Sequence, residues 1–395
     1  MDEATTTVRR ARSSSTGTDG GRPDGSDRWL PGELVHPLAV GIGARVAALV
    51  SLSAVMWVVR RGDFLGRFVV WDGAWYLWVS REGYPQTLAE ESGGSRLGFF
   101  PALPALHRLV RTVTGLDERV AAAVLATLLG VAAVVAVWLL AREVADREVA
   151  DVAALVFAFS PAAYVLGILY TESLLVVLAC VALVSLRRER WWLAGAAAAV
   201  AGLTRVSGLA VVGTVVVVGL VEVVRHRRAA ALWAVGLAPL GFVAWLALLW
   251  RRTGDPLAFA TVQETFGNEA AFLTPTIRWL GLAVGIGGEG DLRADLTVAG
   301  VTVAVAGLAL VWCVRRRVPW SWLLYTGLLT VFAFGSEWPH NSLRYLLPAV
   351  PVAVALAMVL PRRWVGLWVG VSAACMLALL TVTSIGPGEL QAVTP

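Results

Sequence analysis

Long apolar runs are the feature that most constrains this chain. They lie at roughly 38–59, 120–140, 149–168, 172–186, 191–204, 206–224, 231–250, 294–314, 319–335, 345–360 and 364–384, and together they occupy most of its 395 residues. A run of about 20 apolar residues is what a helix needs to cross the hydrocarbon of a bilayer, roughly 30 Å thick. Composition agrees: 57% hydrophobic and 15% charged, against about 45–50% and about 25% in ordinary soluble domains. The expected fold is an all-α polytopic membrane protein with about eleven transmembrane helices in a single bundle over 35–395.

Arginine placement orients that bundle. Arg9, Arg10 and Arg12 precede the first run. Arg142 and Arg147 follow the second, Arg187, Arg188 and Arg190 the fourth, Arg225, Arg227 and Arg228 the sixth, Arg315 to Arg317 the eighth, and Arg362 and Arg363 the tenth. All six clusters fall on one side, and positive residues concentrate in short cytoplasmic loops. The N-terminus is therefore expected inside, with residues 1–34, rich in Ser, Thr, Gly, Asp and Arg, forming a disordered tail. The long segments 60–119, 251–293 and 336–344 fall outside, and the first of them carries apolar stretches such as FFPALPALHRLV (99–110) suited to interfacial helices. The net charge of +5 resides mainly in these clusters and serves topology, which excludes a nucleic-acid partner as its explanation. Cys180, Cys313 and Cys375 each stand inside an apolar run without partner spacing, so neither a disulfide framework nor a metal site is expected.

The unusual polar constellations all map to the outer side. WDGAWYLWVSREGY (71–84) sets Asp72 among Trp71, Trp75, Tyr76 and Trp78, aromatics of the kind that settle at a membrane surface. Asp63, Glu82, Glu90 and Glu91 share that loop, and a solvated acid beside interfacial tryptophans explains Asp72 as readily as a catalytic role. The adjacent Gly73 allows another group to approach the backbone. SPAAYVLGILYTES (160–173) carries Glu172 between two spans, where an acid is costly unless paired or functional; capping the next helix is the simpler reading. Thr204 and Arg205 interrupt about thirty apolar residues. Arg205 either pairs with Glu172 or holds an anion such as a phosphate. Downstream, GDPLAFATVQ (254–263) contains a turn signal and Gln263, and SEWPHNSLRYLLPAVP (336–351) spaces His340 and Arg344 at i, i+4. No phosphate-binding glycine loop, dinucleotide fingerprint, HExxH or C-x-x-C is present, so no cofactor is called for and a sugar donor would be a pre-activated lipid.

These motifs, in order, resemble the PIG-V-like mannosyltransferases, a family related to the second mannosyltransferase of glycosylphosphatidylinositol assembly. The resemblance rests on WDGAWY with REGY, FFPALPALHR, SPAAYVLGILYTES, RRERWWLAG through TRVSG, GDPLAFATVQ and RYLLPAVP, covering about 65–352. Trp78 and Val79 stand where more aliphatic residues are usual, and Ala102 and Pro104 loosen the FFP segment.

The resemblance implies a GT-C-type glycosyltransferase bundle, a polyprenyl- or dolichyl-phosphate-mannose donor, and inverting transfer at the extracytoplasmic face of the cell membrane to a glycolipid or glycan. In that setting Asp72 is the expected base, with Glu172 as the fallback or as the orienter of Arg205. Arg205 and Arg344 would take the donor phosphate. Trp71, Trp75 and Tyr76 would stack on a sugar or seat the prenyl chain, and Gln263, His340 and Tyr345 complete the expected substrate-binding set. A transporter or flippase for a lipid-linked sugar is the competing class. An enzyme should gather Asp72, Glu172, Arg205 and Arg344 at one place facing outward, whereas a transporter should show a polar path at the bilayer midplane.

Overall fold

The computed structural model describes residues 31–58, 63–88, 94–265, 274–283, 292–335 and 341–385. Every apolar run with described residues becomes a helix or a broken pair of helices. In chain order they are α1 (Val35–Val58), α2 (Asp72–Glu82), α3 (Ala102–Thr114), α4 (Glu118–Arg142), α5 (Arg147–Ala158), α6 (Thr171–Arg187), α7 (Trp191–Gly202), α8 (Leu209–His226), α9 (Leu232–Leu237), α10 (Leu240–Thr253), α11 (Ala258–Thr265), α12 (Thr274–Ala283), α13 (Leu292–Cys313), α14 (Trp320–Phe334), α15 (Ser342–Tyr345), α16 (Val350–Val359) and α17 (Arg362–Ile385). The chain divides at Val35, and the bundle is the unit from His36 onward. The expected tail, residues 1–34, falls almost entirely outside the described residues.

Among the described residues, six helices are long and apolar enough to cross a membrane, or seven if the bent pair Arg147–Ala158 and Pro161–Gly167 is counted as one span. Three more, α7, α14 and α16, are apolar but only 10–17 residues long. The outer faces are greasy: Val50 on α1 is 63% exposed, Leu128 on α4 63% and Val305 on α13 62%. Such surfaces suit lipid contact and would be a liability in water. The chain is a multi-pass membrane protein.

Two interruptions shape the bundle around Glu172 and Arg205. The first follows α5, where Ser160 takes an extended ψ of 150° ahead of Pro161, as residues before proline do. The chain then bends by 78° into a 3-10 turn, Pro161–Gly167, before α6 starts. The second follows α7: Thr204 returns its hydroxyl to the Ala201 carbonyl at 2.6 Å, and Arg205 is fully extended at φ −175°. Gly208 closes that turn. A Cβ there would stand 2.0 Å from the Ala201 carbonyl oxygen, so only glycine fits.

Ion pairs knit together the opposite end. Arg188 binds Glu143 at 2.6 Å, Arg228 binds Glu189 at 2.6 Å, and Arg362 binds Glu148 at 2.8 Å. These contacts join the α4–α5, α6–α7, α8–α9 and α16–α17 connections at one end, the grouping the arginine alternation predicts. Short helices fill the long loops as expected: α2 and α3 in the first, α11 and α12 in the second. On α3, Leu103, Pro104 and His107 are buried while Val113 is 75% exposed, an amphipathic arrangement fit for an interface.

Candidate active site

Asp72 opens α2, so its carboxylate stands at a helix N-terminus, where negative charge is favoured. The residue before it, Trp71, has φ 49° and ψ −122°, outside the left-handed helical well. Strain of this kind, of order 1–3 kcal/mol, persists where the surroundings over-determine the backbone. The 3-10 turn Leu65–Val69 that leads into Trp71 is fastened to the segment before α6 by a 2.7 Å bond from the Leu169 amide to the Phe68 carbonyl. The loop bearing Asp72 and the helix bearing Glu172 are thus held together by backbone.

Four charged side chains from four places in the sequence converge here. Arg344, on α15, donates through Nη2 to Asp72 Oδ2 at 2.6 Å and through Nε to Glu172 Oε1 at 2.8 Å. Arg205 donates through Nη1 to the same Glu172 oxygen at 2.5 Å. The result is a chain of alternating charge, Asp72–Arg344–Glu172–Arg205, with no net charge. Its members differ in exposure: the Glu172 side chain is 1% exposed, Arg344 11%, Arg205 18% and Asp72 23%. Glu172 serves as the buried hub and Asp72 is the carboxylate a ligand can reach.

Aromatic rings line the tetrad. Tyr345 lies beneath both guanidiniums, 4.9 Å from Arg205 and 5.2 Å from Arg344, and Tyr170 stands 4.5 Å from Arg344; a desolvated cation gains about 2 kcal/mol or more from such a face. Burial by itself would lower the Arg344 pKa, but Glu172 and Asp72 more than offset it and hold the guanidinium above its ordinary value. Tyr76, raised first by burial and then by Asp72, stays a protonated phenol bonded to Thr171.

Helix α2 is braced from behind by a neutral pair. Ser80 Oγ lies 2.7 Å from His107 Nδ1, and His107 Nε2 lies 2.9 Å from the Glu118 carbonyl. A carbonyl can only accept, so Nε2 carries the proton and Ser80 donates to Nδ1. Both residues are at most 2% exposed, which makes this a brace tying α2 and α3 to the start of α4.

The other expected site residues are distributed as follows. Trp71 borders a pocket beside Asp72. Trp75 is stacked between neighbours, parallel to Phe99 at 5.3 Å and near Trp78 at 5.4 Å, and Tyr76 is 7% exposed and edge-on to Phe99. Both rings pack in the core that α2 shares with Phe99 and α3. Gln263 donates to the Gly98 carbonyl at 3.2 Å, a brace between α11 and the first loop, outside the tetrad. His340 lies outside the described residues. Gly73 is buried, but a Cβ added there would meet the Leu169 carbonyl oxygen at 3.4 Å, ordinary contact and no special approach. Sequence reasoning missed Tyr170, which flanks Glu172 in a segment already singled out. Among the described residues no three His, Cys, Asp or Glu side chains gather as a metal-ligand group.

The bent spans, the short loop helices and the charged tetrad belong to an all-helical bundle with several candidate membrane spans. Residues 45–231 match the family described as Mannosyltransferase (PIG-V), a region that carries Asp72, Glu172 and Arg205. Among solved structures the chain is similar to ArnT from Cupriavidus metallidurans bound to undecaprenyl phosphate, at 19% identity and TM-score 0.54, covering 84% of this chain and 62% of that one. It is also similar to the oligosaccharyltransferase AglB from Archaeoglobus fulgidus in complex with an inhibitory peptide and a dolichol-phosphate, at 16% identity and TM-score 0.47, covering 88% and 56%. The chain thus spans less than two thirds of the length of either structure. No curated protein matches it. The likeness to ArnT shows that the two proteins share a fold.

Proposed function

We propose that the protein is an inverting glycosyltransferase that moves mannose, or another hexose, from a polyprenyl-phosphate-sugar to a glycolipid or glycan at the extracytoplasmic face of the plasma membrane. The observation that carries this reading is Arg344 bridging Asp72 and Glu172. One arginine sets a reachable carboxylate beside a strong positive centre, the pair of groups an inverting displacement needs.

In that displacement the acceptor hydroxyl gives its proton to Asp72 as its oxygen bonds to the anomeric carbon, and the sugar–phosphate bond breaks on the opposite side. The bonding electrons leave with the polyprenyl phosphate, whose added charge Arg344 and Arg205 stabilise. Asp72 keeps Oδ1 for the acceptor because Arg344 engages Oδ2. Arg205 spends one N–H on Glu172 and has further donors for phosphate. Glu172, with its oxygen shared by two guanidiniums, orients them. The family match to mannosyltransferases supports the sugar, and the undecaprenyl phosphate named for the ArnT structure supports the donor class. A transporter would place its polar groups along the midplane; here the four groups gather at helix ends and loops.

The test is sugar transfer by purified protein from a polyprenyl-phosphate-mannose donor. The Asp72→Asn protein should bind donor normally and lose transfer. Transfer at a near wild-type rate would remove Asp72 as base, and unchanged donor affinity in Arg205→Ala would remove its phosphate role.

A further inference from the structure

Beside the tetrad lies a second cationic site that the transfer chemistry does not use. A pocket opens between α1, α4, α17 and the loop preceding α2, lined among others by Arg45, Arg67, Trp71, Thr127, Tyr164 and Leu380. Arg45 stands near the middle of the 24-residue α1 and is 3% exposed. It donates through Nη1 to the Ala163 carbonyl at 3.1 Å and through Nη2 to the Ala158 carbonyl at 3.5 Å, while its buried Nε has no partner. Room for it is built in: a Cβ on Gly130 of α4 would meet the Leu166 carbonyl at 2.5 Å and the Arg45 side chain at 3.3 Å.

Arg67 comes from the 3-10 turn Leu65–Val69. Among the described residues neither Arg45 nor Arg67 pairs with an acid, because nearby Asp63 is taken by Arg119 at 3.1 Å. Two uncompensated guanidiniums in one pocket, one of them at membrane depth, call for an anion; intramembrane charge of this kind is a functional site by default. The rest of the wall is hydrocarbon. Ala48, Leu49 and Leu52 of α1 and Leu380 of α17 continue it, and the same helices present Val46, 51% exposed, and Val371, 56% exposed, to the lipid. Cationic groups beside an apolar wall shared by two lipid-facing helices suit an amphiphile.

We infer that the Arg45–Arg67 pocket binds the phosphate-bearing headgroup of a membrane lipid, with the lipid's chain leaving between α1 and α17. Its neighbours link it to the chemistry: Trp71 is adjacent to Asp72, and Tyr164 stands within electrostatic reach of both Arg344 and Glu172. The inference concerns binding and stands whether or not the transfer reaction is as proposed.

The experiment counts bound lipid by native mass spectrometry on the full chain in phosphatidylcholine nanodiscs, titrated separately with undecaprenyl phosphate and with phosphatidylglycerol. Arg67→Ala, on a loop turn, should hold one equivalent fewer of at least one of these lipids, or bind it about tenfold more weakly, a difference set by one lost charged contact. Arg67→Lys should retain most of that binding, and Ala48→Phe, which fills the pocket without touching its charge, should lose it. Loss confined to undecaprenyl phosphate identifies a polyprenyl carrier as the occupant, and loss confined to phosphatidylglycerol identifies an ordinary anionic phospholipid. Wild-type stoichiometry and affinity for both lipids in both Arg67→Ala and Ala48→Phe would overturn the inference.

Discussion

The two ends of the bundle use the same pairing of arginine with carboxylate for different purposes. At the arginine-rich end two of the three pairs are out in the open, Arg228 and Glu189 at 44% and 55% exposed and Arg362 and Glu148 at 42% and 71%, while Glu143, 8% exposed, meets Arg188 at 32%. Each such bond joins two of the connections between helices. At the other end Glu172 is 1% exposed and accepts from two guanidiniums, one of which reaches on to Asp72. Removing charges from water is expensive, and a buried pair repays that only when geometry and hydrogen bonding are nearly complete. A bundle that needed only stability would do as well with apolar residues there, so the buried tetrad points to chemistry and the exposed pairs to assembly.

The largest test of that contrast is Asp72→Asn. The substitution keeps shape and a hydrogen-bonding group while removing the proton acceptor. Transfer should fall by about 10²- to 10⁴-fold, the usual worth of a general base, while the thermal midpoint moves little because the side chain is the most exposed of the four. A transfer assay and a melting curve on the same preparation read both halves.

Glu172→Gln should show the reverse balance. It leaves two guanidiniums sharing a neutral amide oxygen, with the charge that compensated them gone, a loss of about 3–5 kcal/mol where one partner of a buried pair is removed. The midpoint in detergent should drop by several degrees, and activity should fall as a consequence. A Glu172→Gln protein as stable as wild type would mean the hub carries no structural load. Gly208→Ala comes next in size: its Cβ would press on the Ala201 backbone and shift the turn that presents Arg205. Overpacking of this kind costs about 1–3 kcal/mol, and donor affinity should weaken along with the midpoint. At the far end, Glu148→Gln and Glu189→Gln should each change stability by about 0–1 kcal/mol, with any effect erased by salt.

The two ends also differ in how legible they were. The arginine clusters follow from charge counting, because topology depends on which loop a residue occupies and that is a one-dimensional fact; the ion pairs among residues 143, 148, 188, 189, 228 and 362 bear the grouping out. The helices were legible for the same reason, although three apolar runs yield helices shorter than a full crossing and one breaks at Pro161. The tetrad was legible in part. Asp72, Glu172, Arg205 and Arg344 each stood out as charges in apolar or aromatic surroundings, and the pairing of Arg205 with Glu172 could be named. That Arg344, 172 positions beyond Glu172, binds both carboxylates is a tertiary fact no local pattern encodes. The packing of Trp75 and Tyr76 on Phe99 was not legible, because an aromatic in an interfacial motif looks the same whether its face meets a ligand or a neighbouring ring. Arg45 went unremarked, since a single arginine inside an otherwise apolar run is averaged away by the hydropathy that defines the run.

Between the charged tetrad and the exposed pairs stands the Ser80–His107 brace, buried like the first and neutral unlike either, and it supplies the smallest prediction. Burial, followed by the nearby Arg111, lowers the His107 pKa in the folded protein, against opposing contributions from Glu118. The unfolded chain therefore binds a proton more readily than the native one, and stability rises with pH across that interval. The contribution is fully present above the ordinary histidine value of about 6.5 and is lost as pH falls through the lowered folded value. A protonated ring would also carry a hydrogen at Nδ1, where Ser80 now donates, so the 2.7 Å contact would survive only with the Ser80 hydroxyl turned from donor to acceptor. Thermal midpoints recorded from pH 8 to pH 5 should decline on the acid side. His107→Gln, which can still donate to the Glu118 carbonyl and accept from Ser80, should flatten that part of the profile. An unchanged acid slope in His107→Gln would assign the pH dependence to other groups and leave the brace a purely geometric support for the helix that carries Asp72.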